Sequence, residues 1–252
     1  MYTYAIARKP GKNFHEGITT ANLGEPKFDL MVKQHYQYTE TLKSLGLDVI
    51  LLDPLADCPD GYFVEDTAVV TPEIAIITNP GAATRRGETS SIEKTLSKFR
   101  KISRISAPGT LDGGDVLAVE NNFFIGISKR TNLSGANQLG VILEKQGYSW
   151  SPIEVIGGLH LKSSVNYIGE NTLITTGRYA SLEDFRPYQK IVLGPDETPA
   201  ANSLWINCHL LVPFGYPSAA EKLNASGIPI IQLDVSEALK MDGGLTCMSL
   251  RF

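Results

Sequence analysis

Five stretches of this chain repeat one pattern, an apolar strand of alternating character followed by a polar turn and, in four of the five, a second strand. They run 63–80, 111–130, 159–178, 200–216 and 243–252, and their starts recur roughly every 40–50 residues. Alternation of period two marks half-buried strands, and the turns fall at Thr71-Pro72-Glu73, Glu120-Asn121-Asn122, Gly169-Glu170-Asn171 and around Asn207. The fifth unit has one strand, 245–251, and its partner is expected in the N-terminal strand 2–8. Pairing of the two chain ends closes the array and removes the sheet edges that an open repeat exposes. Helical spacing of apolar residues appears between units, at 28–45, 88–100 and 134–146, and further strands are expected at 47–52 and 228–233. Each repeat therefore reads as strand, strand, helix, strand, and residues 1–252 as one closed α/β domain. The Gly-, Thr-, Asn- and Pro-rich segment 11–26 reads as a loop able to move over a site.

Composition excludes several classes. With 42% apolar and 20% charged residues, the chain can bury a full core and is not disordered. Its apolar runs fall short of the roughly 18 residues a membrane-spanning helix needs, and the N-terminus carries no charged-then-apolar signal pattern. A cytoplasmic protein without a membrane partner is expected. Three cysteines without a CxxC pair argue against a disulfide framework and a structural zinc site. A net charge of -4 with scattered Lys and Arg gives no footprint for nucleic acid and suits a small cationic ligand.

Four reactive side chains sit early in four different units: Asp66 in FVEDTAVV, Asp112 in LDGGDV, His160 in GLHLKS and Cys247 in DGGLTCMSLRF. In a closed array such positions converge on the central axis. A thiolate is the nucleophilic form of cysteine and needs help to form at neutral pH, and a histidine can move protons in both directions. Two carboxylates can hold a planar guanidinium through paired hydrogen bonds. Other groups have plainer readings. Cys58 and Cys208 are expected as buried packing, and His15, His35 and His209 as structural. Asp115 and Asp242 read as turn formers or supporting groups. Arg85, Arg86 and Arg130 end strands and cap helices or meet solvent, unless a ligand carboxylate engages two of them.

Taken together, FVEDTAVV, ITNPGAATRRGE, TLDGGDVL, FIGISKRTN, GLHLKS, PAANSLWIN and MDGGLTCMSLRF resemble the dimethylargininases (dimethylarginine dimethylaminohydrolases) of the guanidine-modifying pentein superfamily, nearly end to end. The resemblance implies a five-bladed, pseudo-fivefold α/β propeller. It implies that Cys247 attacks the guanidinium carbon of an Nω-methylated arginine, that His160 serves the leaving amine and then water, and that Asp66 and Asp112 hold the guanidinium beside Glu65. Arg85 and Arg130 would grip the substrate α-carboxylate. Asp60 and the Met241 carbonyl would take the α-ammonium, and Ile18 matches an apolar lid residue. No cofactor or metal is implied, although zinc could bind Cys247 and His160 adventitiously. A homodimer is permitted. Related arginine deiminases typically carry an Asp two residues after the histidine, where this chain has Lys162, which favours methylated substrates. A deiminase, a non-catalytic pentein binding protein and an amidino transferase stay open as alternatives.

Overall fold

The computed structural model describes residues 1–252. The chain opens with β1 (Tyr4–Arg8), α1 (Phe28–Ser44) and β2 (Asp48–Leu52). It continues through β3 (Ala68–Val70), β4 (Ile74–Ile77), α2 (Thr89–Leu96) and β5 (Lys101–Arg104), then β6 (Val116–Val119), β7 (Asn122–Ile127), α3 (Leu133–Glu144) and β8 (Ser149–Glu154). Strands β9 (Val165–Tyr167), β10 (Thr172–Thr176) and β11 (Gln189–Leu193) follow, and then β12 (Leu204–Ile206), β13 (His209–Pro213), α4 (Pro217–Asn224), β14 (Ile230–Leu233), α5 (Ser236–Leu239) and β15 (Leu250–Arg251).

The strands form five three-stranded sheets of one design: an antiparallel pair, a hairpin in four of them, with a parallel third strand on its far edge. The parallel step needs a crossover, and α1 to α4 supply it in four of the five. The last sheet joins the chain ends, with Ala5 opposite Arg251 and Ile6 opposite Leu250, as the closed repeat requires. Five apolar clusters sit where neighbouring sheets meet. Val69 and Ile76 pack on Leu111 and Phe123, Leu117 and Phe124 on Val165 and Leu173, and Ile168 and Ile174 on Leu210 and Val212. Leu204 and Leu211 pack on Ala5 and Met31, and Ile6 and Leu250 return to Ala68 and Ala75. The fifth contact closes a pseudo-fivefold ring, an α/β propeller in which each blade is held by its neighbours, and each fully buried Leu, Ile or Phe contributes about 1.5–3 kcal/mol.

Three details depart from the repeat pattern. The crossover between β10 and β11 carries only a short turn at Glu183–Phe185. The last strand is Leu250–Arg251 rather than 245–251, because the backbone before it bonds to side chains: Leu245 O accepts from the Tyr38 hydroxyl and Thr246 O from Arg251. Cys208 is exposed rather than buried. It shares with Asn207 the two-residue turn joining β12 to β13, where both adopt positive φ (68° and 43°) as a tight hairpin demands. No helix is long and apolar enough to cross a membrane.

Candidate active site

The first strand of each blade is short, and in four blades a 3₁₀ turn leads into it: Val64–Thr67, Gly113–Asp115, Leu161–Ser163 and Pro195–Ala201. Asp66 lies in the first of these turns, while Asp112 and His160 stand just ahead of the second and third. Cys247 precedes β15, and its carbonyl accepts the Glu65 N–H at 3.1 Å. Asp66, His160 and Cys247 meet in one small cavity, lined also by Ile18, Asp60, Phe63, Arg85, Arg130, Leu159, Met241, Asp242 and Gly243.

At the reactive end, Asp66 accepts the Gly114 N–H on Oδ1 at 2.9 Å and the Arg85 guanidinium on Oδ2 at 2.5 Å. His160 Nε2 lies 3.1 Å from Asp112 Oδ2 and 3.9 Å from Asp66 Oδ1. Gly114 makes this approach possible, since a Cβ there would fall 2.7 Å from His160 Nδ1 and 2.8 Å from Asp66 Oδ1. Asp112 departs from expectation. It is fully buried, takes the Gly81 N–H on its other oxygen and stands behind the imidazole, outside the cavity lining; it orients His160 rather than facing a ligand. Asp115 supports the same segment, accepting the Leu161 N–H and the hydroxyls of Ser128 and Thr131. Donor atoms of Asp66, Asp112 and His160 lie within 4.8 Å of one another, a spacing suited to a small metal ion, but the Arg85 guanidinium already supplies a cation to Asp66.

At the other end, Asp60 accepts the Ile18 N–H on both oxygens, at 3.1 and 3.2 Å. A Cβ at Gly17 would come within 2.5 Å of that carboxylate, so glycine lets the loop lie against it. The loop is latched further on: the Thr20 N–H and hydroxyl both donate to Asp242, and the Thr19 hydroxyl donates to Lys240 O. Arg130 has a buried Nη1 with no partner in the protein. Arg85 is its opposite. Nε bonds to Glu88, Nη2 to Glu88 and Phe63 O, and Nη1 to Asp66, leaving one of the five guanidinium N–H groups and little net charge for a ligand.

Glu65 also departs from expectation. Its carboxylate turns away from the cavity to Lys162 (2.7 Å), Arg251 (2.8 Å) and the Thr246 hydroxyl (2.8 Å). These groups floor a separate axial channel lined by the first strand of every blade. Lys162 thus lies outside the reactive cavity and holds Glu65 out of it.

A dimethylarginine dimethylaminohydrolase of Pseudomonas aeruginosa is 42% identical to this chain over the whole of both. The chain belongs to the dimethylarginine dimethylaminohydrolase family. A Streptomyces coelicolor dimethylarginine dimethylaminohydrolase is 34% identical over 98% of this chain and 96% of its own. A cysteine-to-serine variant of the Pseudomonas aeruginosa protein, solved in complex with citrulline, superposes over both full chains with a TM-score of 0.98 at 41% identity. A dimethylarginine dimethylaminohydrolase with a histidine-to-glycine replacement, solved as an adduct with S-methyl-L-thiocitrulline, superposes equally well. The N-terminal domain of the arginine dihydrolase ArgZ shares the fold at a TM-score of 0.87 and 16% identity. No protein-family model matches the chain.

The charges of this dimethylarginine dimethylaminohydrolase family member are set by burial and by each other. Burial, then the charges of Glu65 and Asp66, push the Cys247 thiol up to about 12. Burial opposes a charged His160, but Asp66, Asp112 and Asp115 outweigh it and raise the imidazole to about 9. Burial likewise opposes a charged Asp66, yet His160 and Arg85 hold it down to about 2. Burial raises the Asp60 carboxyl, with Arg85 pulling against it. At neutral pH the cavity holds a neutral thiol beside an imidazolium. Sequence reasoning did not find Asn202, which bonds Thr246 N and Oγ1. Its signal was its place, just ahead of β12, where the other blades carry Asp66, Asp112 and His160.

Proposed function

We propose that this chain hydrolyses Nω-methylated arginines to citrulline, releasing dimethylamine or methylamine, with residues 1–252 acting as one catalytic domain. The observation that carries the reading is one cavity with Cys247, His160 and Asp66 at one end and the unpartnered Arg130 Nη1 with Asp60 at the other. That polarity matches an amino acid with a guanidinium tail. Arg130 takes the α-carboxylate, with the free N–H of Arg85 beside it. Asp60 and the Met241 backbone take the α-ammonium under Ile18, and Asp66 takes the guanidinium.

A bound guanidinium brings the sulfur the positive charge that the protein withholds, so the thiol releases its proton to solvent as substrate arrives. The thiolate attacks the guanidinium carbon, His160 gives its proton to the leaving nitrogen, and the C–N bond breaks to leave a covalent thiouronium. Water then loses a proton to the neutral imidazole and attacks the same carbon. The hydroxyl proton of the resulting adduct passes to sulfur as the C–S bond breaks, returning the thiol and citrulline. Asp112 keeps the imidazole in place through both steps. Because Lys162 and Arg251 hold Glu65 aside, Asp66 faces the guanidinium without a second carboxylate at the methylated nitrogen.

The test is citrulline release from asymmetric dimethylarginine, monomethylarginine and arginine in parallel. Both methylated substrates turn over, with arginine about 10- to 100-fold slower for want of one charge-assisted hydrogen bond. Equal or faster arginine turnover would make the chain a deiminase, and no citrulline at all would end the reading. Three unpaired cysteines fit a cytoplasmic setting. A homodimer would sediment at twice 27.4 kDa.

A further inference from the structure

We infer that Thr246 and Asn202 are positioning residues that clamp the main chain of the nucleophile. The segment between α5 and β15 pairs with no strand, so no sheet ladder fixes the Cys247 backbone. Side chains from two other blades, with Arg251 of its own, hold it instead. Thr246 N donates to Asn202 Oδ1 at 2.9 Å, Thr246 O accepts from Arg251 Nη1 at 2.8 Å, and its hydroxyl donates to Glu65 Oε2 at 2.8 Å while accepting from Asn202 Nδ2 at 3.1 Å. Every polar atom of Thr246 is engaged. Asn202 is anchored in turn on Lys162 O at 3.1 Å and packs against Gly244, where a Cβ would meet its Oδ1 at 2.5 Å. Glu65 adds the bond from its own N–H to Cys247 O.

The clamp lies on the channel side and touches no substrate group. It acts on the sulfur through the backbone, and the Thr246 hydroxyl sits 3.9 Å from that sulfur. Misplacing a nucleophile by about 1 Å costs on the order of 100-fold in rate, so loosening Thr246 lowers kcat while leaving the Arg130 and Asp60 end, and hence KM, largely alone. Removal of the hydroxyl strands the buried Glu65 Oε2 without a partner and leaves Asn202 Nδ2 with Lys162 O alone.

The inference rests on Cys247 being the nucleophile, and its test has a readout that does not pass through turnover. Thr246→Val, Thr246→Ser and Asn202→Ala are compared with the parent for kcat, for KM, and for iodoacetamide alkylation of each cysteine by peptide mass spectrometry. Thr246→Val lowers kcat about 10- to 100-fold with KM within about threefold. It also speeds Cys247 alkylation by about threefold or more as the segment opens locally, while Cys58 and Cys208 keep their rates. Thr246→Ser keeps the hydroxyl and stays near the parent. Parental kcat and alkylation in Thr246→Val, a rise in KM alone, or a serine variant as impaired as the valine one overturns the clamp. If circular dichroism shows Thr246→Val unfolded, Asn202→Ala decides by the same readouts. A parent whose turnover survives full alkylation of Cys247 would instead refute the reading of function.

Discussion

The two ends of the ring are built from the same residue types to opposite rules. On the channel side, Glu65, Lys162, Asn202, Thr246 and Arg251 satisfy one another. On the cavity side, Arg130 Nη1 has no protein partner, and the Cys247 thiol and His160 are held far from their ordinary proton affinities. A buried polar group without a partner is costly, and on a cavity wall a ligand can supply the partner. A fully paired network buys rigidity. The difference separates groups that meet substrate from groups that hold those in place.

The comparison breaks most visibly at the sulfur. Cys247→Ser is expected to lower turnover on the order of 10⁴-fold or more, while binding of a methylarginine, measured by calorimetry, stays within a few-fold because Arg130, Asp60 and Asp66 are untouched. Retained turnover would remove Cys247 from the reaction.

The two cavity arginines sharpen it next. Arg130→Gln removes a group with an open donor and is expected to raise KM about 10- to 100-fold with the melting temperature nearly unchanged. Arg85→Gln leaves Asp66 and Glu88 facing each other in a buried site and is expected to cost about 3–5 kcal/mol of stability, read by denaturant titration. Equal stability losses in the two variants would erase the distinction between a ligand-facing and a structural arginine.

The ring was legible because alternation, turn chemistry and a repeat of nearly constant length all pointed the same way. The closure of β1 on β15 followed from an unpaired last strand. Asp66, His160, Cys247, Asp60, Arg85, Arg130, Ile18 and Met241 were brought together as their places in the repeat and the family resemblance implied. Orientation was not legible. Glu65 stands beside Asp66 in sequence and Asp112 holds the place in its blade that His160 holds in the next, and only the turn geometry at Gly113 and Gly114 and the cations Lys162 and Arg251 decide that Asp112 backs the imidazole and Glu65 faces the channel. The missing third-blade helix was hidden because a crossover of any shape satisfies the parallel step.

Proton binding separates the two sides with the smallest effect. Glu65 is held below the usual carboxylate range, burial notwithstanding, by Lys162 and Arg251, and Arg251 is raised, burial again opposing, chiefly by Glu65; on the channel side Glu65 and Arg251 therefore keep their charges from pH 6.5 to 9. The cavity side does not. Folded His160 holds its proton to about 9, while an unfolded histidine releases it near 6.5. The folded state thus binds more protons across that window, and stability is lost as pH rises through it. Cys247, held to about 12 when folded against about 8.5 when unfolded, acts in the same direction at the top of the window. His35 works on the acid side: burial lowers it to about 4, so its contribution is complete above 6.5 and fades as pH falls toward 4. Thermal unfolding should therefore be highest near pH 6.5 and fall by a few degrees toward pH 9. Over the same interval kcat/KM should rise, because the thiolate grows more abundant while His160 keeps its proton. A flat rate between pH 6 and 9, or stability rising with it, would mean that His160 and Cys247 do not hold their protons as the carboxylates around them dictate.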